Sequence, residues 1–297
     1  MKRIPSLISV IIGLACLSGC SEHDPKPAPP FMVDYDSYVI AFDSQRTGNG
    51  DIYIMKADGS DPKQVTASVD TEYWPAWSPD GMHIAYSDGD IHVIRRDATE
   101  QIRLTTHPAA DWEPAWSPDG TRIAWSSMRD GNAELYVMNS DGSNKIRLTN
   151  NAAVDGYPSW SPDGSRIAFS TTRDGNWEIY VMDSDGSNPT NVTNTDYNEW
   201  RAVWSPDGQK FVLSADQDGS DCIYILYVDG SNLTRMGDET GINASWISDG
   251  SGIIFNSNRS GNDEIYLLEI SEDLEPGDLI RLTNNSVDDG HPVWKSG

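Results

Sequence analysis

The side chains with the clearest chemical potential stand just before a recurring tryptophan. The sequence Trp-Ser-Pro-Asp-Gly begins at residues 77, 116, 160 and 204, and weaker copies contain Trp246 and Trp294. A three-residue segment, called the triplet below, ends three residues before each of these six tryptophans. The first residue of the triplet is acidic in five copies: Glu72, Asp111, Asp155, Glu199 and Asp289.

These five acids are candidate calcium ligands. Carboxylates gathered around one axis repel one another, and calcium binds six to eight oxygen ligands of this type. Pairing with arginines, hydrogen bonds to strand amides and exposure to water are the alternatives. No cofactor other than calcium is indicated.

The last residue of the triplet is different in every copy: Trp74, Glu113, Tyr157, Arg201, Asn243 and His291. In a repeat protein, identical positions serve the scaffold, whereas a position that varies is free for binding. The neighbouring aromatic residues Tyr73, Trp112 and Trp200 could also stack on a sugar or anchor a partner chain. We therefore interpret these nine residues as a candidate binding surface, with packing at the repeat edge as the alternative.

Catalytic motifs are weakly represented. The histidines show no HExxH spacing, and there is no GxSxG sequence. Asp111 and Glu113 could exchange protons with a substrate, but alternate strand residues rarely point at one atom. Cys222 has no activating partner nearby in sequence and is interpreted as a buried small residue. A binding function is favoured over an enzyme.

The elements that must position these residues are β-strands. The six tryptophans are separated by 39, 44, 44, 42 and 48 residues, and a period near 40 predicts a propeller or a solenoid. Within one repeat, four short strands end at turns such as Ser161-Pro162-Asp163-Gly164, whose aspartate we expect to cap its own turn. No sustained helical period is present, so the fold is all-β.

The two ends of the chain predict a closed ring. The first repeat, residues 38–66, lacks the strand that carries tryptophan, and the last copy, residues 291–294, has only that strand. The prediction is a six-bladed β-propeller of four-stranded blades over residues 35–297. The C-terminal strand would join the N-terminal blade and leave no free edge.

The loop between the second and third strands carries two further repeated features. An arginine seven residues before a tyrosine recurs together with an acid two residues before it, which predicts an ion pair within each blade. The four pairs are Arg46 with Asp51, Arg129 with Glu134, Arg173 with Glu178 and Arg259 with Glu264. Blade five has Gln217 and Cys222 in place of the arginine and the acid. The loop of blade two is five residues shorter than the others, which predicts a notch in the ring above blade two.

The N-terminus is typical of a secretory signal. Lys2 and Arg3 precede an apolar run too short to span a bilayer, so residues 1–19 are predicted to be a signal peptide. The ending Leu-Ser-Gly-Cys resembles a bacterial lipobox, which implies that Cys20 is acylated and that lipid alone anchors the protein. Ser21 then favours the outer membrane of the cell envelope. Residues 20–34 form a Pro-rich tether, and cleavage at another site is the alternative.

Charge and cysteine content argue against a nucleic-acid partner and against an intrachain disulfide. The chain has 46 acidic and 21 basic side chains, a net charge of −25, which excludes nucleic acid as a partner because phosphate binding needs a basic face. Of three cysteines, only Cys222 would remain free after processing, so no intrachain disulfide is expected.

The repeated motifs resemble the TolB-type propeller repeat family. The resemblance is carried by the Trp-Ser-Pro-Asp-Gly copies and by residues 129–138, 147–150, 173–182 and 281–284, and it covers residues 35–297. That family includes binding modules, peptidase-associated propellers and polysaccharide lyases, so it implies fold more than activity. TolB itself has an N-terminal α/β domain where this sequence has a tether, and the Tol–Pal role is therefore not expected.

The sequence thus predicts a lipid-anchored envelope propeller that binds a protein or glycan partner through its channel face, with calcium assisting. A carbohydrate-acting lyase or hydrolase using the same face is the alternative, and a purely structural envelope protein is the third hypothesis.

Overall fold

The computed structural model describes residues 35–217 and 219–295, which form one β-sheet domain. A short 3₁₀ helix, Tyr35–Ser37, precedes the first strand. Blades one to three then contain the following strands in chain order. Blade one has β1 Tyr38–Ser44, β2 Asp51–Lys56 and β3 Lys63–Gln64. Blade two has β4 Tyr73–Trp77, β5 His83–Ser87, β6 Ile91–Arg95 and β7 Ile102–Arg103. Blade three has β8 Asp111–Trp116, β9 Arg122–Ser127, β10 Glu134–Asn139 and β11 Ile146–Arg147.

The second half of the chain repeats this arrangement. Blade four has β12 Asp155–Trp160, β13 Arg166–Thr171, β14 Glu178–Asp183 and β15 Thr190–Asn191. Blade five has β16 Glu199–Trp204, β17 Lys210–Ala215, β18 Cys222–Tyr227 and β19 Thr234–Thr240. Blade six has β20 Ile242–Trp246, β21 Gly252–Ser257, β22 Glu264–Ile270 and β23 Pro276–Arg281, and β24 Asp289–Trp294 ends the fold.

The last strand completes the first blade, as the sequence predicts. The sheet order of blade one is β24-β1-β2-β3, and all its pairs are antiparallel. Each innermost strand contacts the innermost strand of the next blade, and β20 contacts β24. The described chain is therefore a closed six-bladed propeller, and the C-terminal strand removes the edge that blade one would otherwise expose.

The Ser-Pro-Asp-Gly turns fold through local hydrogen bonds. Asp163 Oδ1 accepts one from the Ser161 hydroxyl at 2.6 Å and one from the Ser165 backbone N–H at 3.0 Å. These bonds lower the pKa of Asp163 to about 2. Gly164 has a φ of 69°, a left-handed conformation that glycine adopts without strain. The predicted capping role of this aspartate is confirmed.

The hydrophobic core lies between blades rather than within them. Six clusters of buried residues each combine side chains of two neighbouring blades, and the repeated tryptophans belong to them or pack against them. Trp160 of blade four shows the pattern, because its indole N–H donates to the Ala115 carbonyl of blade three at 3.2 Å. The Arg122 guanidinium lies 4.5 Å from the Trp160 ring centroid. Blades thus stabilise their neighbours.

The predicted signal peptide, Cys20 and the tether lie outside the described residues. Within the described ranges, no helix is long and apolar enough to cross a membrane.

Candidate functional site

The six innermost strands enclose a central channel. Its cavity has a volume of about 760 Å³, within the range of pockets that bind small ligands. Trp74, Glu113, Tyr157 and Arg201 line it at the level of the triplets. Proline and tryptophan rings of the innermost strands line the rest, among them Pro158 and Trp160. The channel therefore combines an apolar wall with a few polar groups at one level.

The varied triplet residues share one unusual backbone conformation. All six have a positive φ between 45° and 60°: Trp74, Glu113, Tyr157, Arg201, Asn243 and His291. At each of them, the innermost strand has a β-bulge, where two residues oppose one on the second strand. A left-handed conformation costs a residue other than glycine about 1–3 kcal/mol, and bulges re-aim side chains. The scaffold therefore holds six different side chains in the same strained position.

One side of the channel carries a polar cluster from blades three to five. Glu113 Oε2 accepts hydrogen bonds of 2.7 Å from the Ser126 hydroxyl and from the Tyr157 backbone N–H. Burial outweighs these bonds and raises the pKa of Glu113 to about 7. Burial and the nearby Glu113 charge raise the pKa of Tyr157 to about 12. Near neutral pH, this side of the channel thus contains a carboxyl group that can exchange a proton.

Across the channel, Trp74 belongs to a cluster of aromatic rings. His291 Nδ1 lies 2.6 Å from Asp43 Oδ1, and the His291 ring centroid lies 5.5 Å from that of Trp74. Tyr73 packs against both rings, at 5.6 Å from Trp74 and 6.3 Å from His291. The fold therefore brings together Tyr73, Trp74 and His291 as one contiguous surface.

The remaining candidates occupy different places. Asn243 is buried and donates a hydrogen bond of 2.9 Å to the Asn256 side chain. Trp112 and Trp200 are partly exposed and stand one residue before a bulge. Like Tyr73, Asn243 and His291, they are not among the residues that line the channel. Their contact with a partner stays a prediction.

Sequence reasoning missed the side chains that support the bulge residues. Asp43 contacts His291, Ser126 contacts Glu113 and Asn256 contacts Asn243. All three supporting residues stand directly after the core aromatic residue of the second strand. An alignment of the second strands would have shown this position, which is serine in four blades and departs from serine only at Asp43 and Asn256.

The acidic triplet residues have arginine partners in three blades. Arg46 Nη2 lies 2.7 Å from Asp289, Arg129 Nη2 lies 2.8 Å from Asp111, and Arg173 Nη2 lies 3.1 Å from Asp155. Each aspartate side chain is completely buried. Arginine pairing, one of the alternatives for the acidic ring, is thus present in blades one, three and four.

The predicted pairs between these arginines and the acids of the third strand are wrong. Glu134 pairs with Arg147 at 2.8 Å, and Glu264 pairs with Arg281 at 2.9 Å. The loop arginine reaches back across the sheet to the innermost strand. Arg259 of blade six, where the acid of the triplet is replaced by Gly241, donates instead to the Thr240 carbonyl at 2.8 Å.

Blades two and five keep the acid but have no loop arginine. The connection from β5 to β6 is only residues 88–90, which confirms the shortened loop, and blade five has Gln217. Burial raises the pKa of both Glu72 and Glu199 to about 7. Calcium binding by the five acids stays a prediction; in the described residues, no group of three or more acidic, histidine or cysteine side chains is arranged to hold a metal ion.

Cys222 is completely buried on β18, as the sequence predicts. Its sulfur accepts a hydrogen bond of 3.2 Å from Arg235 Nη2. It lies away from the channel-lining residues and takes no part in the candidate site.

These features define a six-bladed β-propeller in which four of the six variable side chains line the central channel. A sequence profile described as the TolB beta propeller domain matches residues 91–203 and 190–296. The chain therefore belongs to the TolB beta propeller domain family.

Solved structures with the same fold are numerous. TolB from Acinetobacter baumannii is 24% identical, with a TM-score of 0.74 over 89% of this chain and 68% of that one. A structure assigned as TolB from Agrobacterium tumefaciens is 22% identical, with a TM-score of 0.70 over 86% of this chain and 92% of that one. An oligogalacturonate lyase in complex with manganese is 16% identical, with a TM-score of 0.62 over 83% of this chain and 75% of that one. A search of curated proteins finds no match. These similarities show the fold of the chain.

Proposed function

We propose that this protein is a binding module of the cell envelope whose central channel receives a segment of a partner protein. One observation carries the proposal: six different side chains stand in the same left-handed position of an otherwise repeated scaffold. A strained conformation maintained six times, with a different side chain each time, is typical of a recognition surface. Membership of the TolB propeller family supports a binding role.

The N-terminal sequence supports a proposed location in the cell envelope. We propose that residues 1–19 direct export and that a lipid on Cys20 anchors the chain, with residues 20–34 as spacer to the propeller. Ser21 supports the outer membrane as the destination. A glycan partner for the same channel remains the alternative occupant.

Affinity capture from an envelope extract tests the binding role. Trp74→Ala and Tyr157→Ala remove channel side chains. Ile146→Ala, at a residue 48% exposed on the outer strand β11, is the matched control. We expect one component to be retained by wild type and by Ile146→Ala and to be lost with both channel variants. Equal retention by all four proteins would contradict the proposal.

A second candidate function is a carbohydrate-acting enzyme. It is favoured by the pKa of Glu113, which burial raises to about 7 in a channel that also contains Tyr157. Titratable groups with pKa values near the working pH are typical of acid–base catalysts. Release of reducing or unsaturated ends from acidic polysaccharides tests it. Turnover that disappears in Glu113→Gln and His291→Ala would favour the enzyme, and its absence in wild type would oppose it.

A further inference from the structure

Within the part of the chain that the structure describes, the guanidinium of Arg201 has no hydrogen-bonding partner. Arg201 lines the channel from β16, and its backbone N–H donates to the Ser170 hydroxyl at 2.9 Å. Its Nη1 is buried, and neither a hydrogen bond nor an ion pair joins the side chain to an acceptor within residues 35–217 and 219–295. The residue as a whole is partly buried, and a buried N–H group without an acceptor is costly, because lost hydration is not replaced.

Among the described residues, three loop arginines have ion-pair partners that Arg201 lacks, although Arg46 Nη1 is also buried without a hydrogen bond. Arg46, Arg129 and Arg173 each bind a buried aspartate. In the described ranges, Arg201 has no such partner. Burial lowers its pKa, but a guanidinium keeps its proton, so a positive charge is available to a ligand.

The two carboxylates that interact with the Arg201 charge each have other partners. Glu113 accepts two hydrogen bonds on Oε2, from Ser126 and from the Tyr157 backbone. Asp43, across the channel, contacts His291 at 2.6 Å. Both carboxylates influence the Arg201 charge at longer range, but neither forms an ion pair with it. The guanidinium thus remains available to an incoming acceptor.

We infer that Arg201 anchors a carboxylate of the bound partner protein, supplied by an acidic side chain or by a chain terminus. The planar guanidinium can donate two parallel hydrogen bonds to a carboxylate, which gives both affinity and orientation. This inference rests on the proposed function, because it names the chemical group that the channel recognises.

The rest of the channel favours a peptide over a sugar. Below the level of Arg201, the wall contains proline and tryptophan rings such as Pro158, Trp160 and Pro206. Sugar hydroxyls need several polar partners, whereas apolar peptide side chains fit such a wall. The net charge of −25 would attract basic peptides non-specifically. Preference for an acidic peptide would therefore indicate specific binding.

An NMR titration of the arginine side-chain Nε–H signals tests the inference. The signal of Arg201 is assigned by its loss in Arg201→Gln. The probes are acetyl-Trp-Ala-Glu-amide, the same peptide with Gln or Lys in place of Glu, and trigalacturonate. We expect the Glu peptide to shift the Arg201 signal and to bind at least tenfold more tightly than the Gln and Lys peptides.

Two variants make the test specific. Arg201→Gln should weaken binding of the Glu peptide at least tenfold. Lys145→Gln, which makes the same change of net charge at an exposed residue, should not. Equal binding of the Glu and Gln peptides, an unaffected Arg201→Gln variant, or no signal change at millimolar peptide would overturn the inference. Binding of trigalacturonate alone would overturn the choice of a protein ligand.

Affinity capture with two variants distinguishes failure of this inference from failure of the proposed function. Loss of capture with Trp74→Ala but not with Arg201→Gln would reject the anchor and leave the channel as the binding site. Retention by both variants would reject the channel itself.

Discussion

The carboxylate of Glu113 accepts a hydrogen bond of 2.7 Å from the backbone N–H of Tyr157, on the next blade. Both residues occupy the left-handed bulge position, with φ values of 58° and 55°. The bond therefore joins two variable positions of the channel directly, across the boundary between blades three and four. The side chain of Glu113 thus supports the backbone of the neighbouring variable residue, so these two positions act as one surface.

Glu113 should make stability depend on pH. Folding raises its pKa from 4.5 to about 7, so the folded state binds the proton more tightly. This contribution to stability is complete below pH 4.5 and is lost as the pH rises through 7. As the pH rises over this range, we expect the unfolding free energy of Glu113→Gln to fall by about 1–3 kcal/mol less than that of wild type. Urea unfolding of both proteins below pH 4.5 and above pH 7 measures it, and equal pH slopes would contradict it.

The arginine pairs of the acidic ring should be important for stability. Arg129→Gln leaves Asp111, whose side chain is completely buried, without its cation. We expect the unfolding free energy to fall by about 3–5 kcal/mol. Arg95→Gln is the control, because Arg95 forms only partly exposed pairs and should cost less than about 1 kcal/mol. A loss no larger than that of the control would refute the role assigned to this pair.

The repeated tryptophans should stabilise the contact between blades. Trp160→Ala removes a buried indole that packs across the boundary between blades three and four. We expect a loss of about 3–5 kcal/mol in chemical unfolding. Val69→Ala, at a residue 95% exposed, should stay within about 0.5 kcal/mol. Similar results for the two variants would mean that neighbouring blades do not share a core.

Calcium binding predicts a higher melting temperature after chelator-treated protein is titrated with calcium. Because arginines already pair with three of the five acids, we expect the rise of several degrees to depend on Glu72 and Glu199. The double variant Glu72→Gln/Glu199→Gln should abolish it. A melting curve of wild type that neither chelator nor calcium changes would reject calcium assistance.

Much of the fold could be predicted from the sequence because each blade repeats its own signals. The turn Ser161-Pro162-Asp163-Gly164 is held by contacts within five residues, so local sequence determines it. Ring closure was predictable for a different reason, since residues 38–66 lack the strand that residues 291–294 supply.

The site could be predicted only in part because its contacts are distant in sequence. The varied residues were recognisable, but the left-handed conformation that they share arises from a bulge in the pairing of two strands. His291 and Asp43 are 248 residues apart, and no local pattern relates them. The loop arginine was assigned to Glu134, five residues away, whereas Arg129 reaches back 18 residues to Asp111 on another strand.

Site-specific photo-crosslinking in intact cells tests the central claim most directly. A photoreactive phenylalanine analogue is placed at Trp74 or Tyr157 in the channel, and at Ile146 on the outer strand as the control. The account predicts the same crosslinked partner at both channel positions and none at Ile146. A crosslink at Ile146 alone, or no crosslink at either channel position, would contradict the assignment of the channel as the binding site.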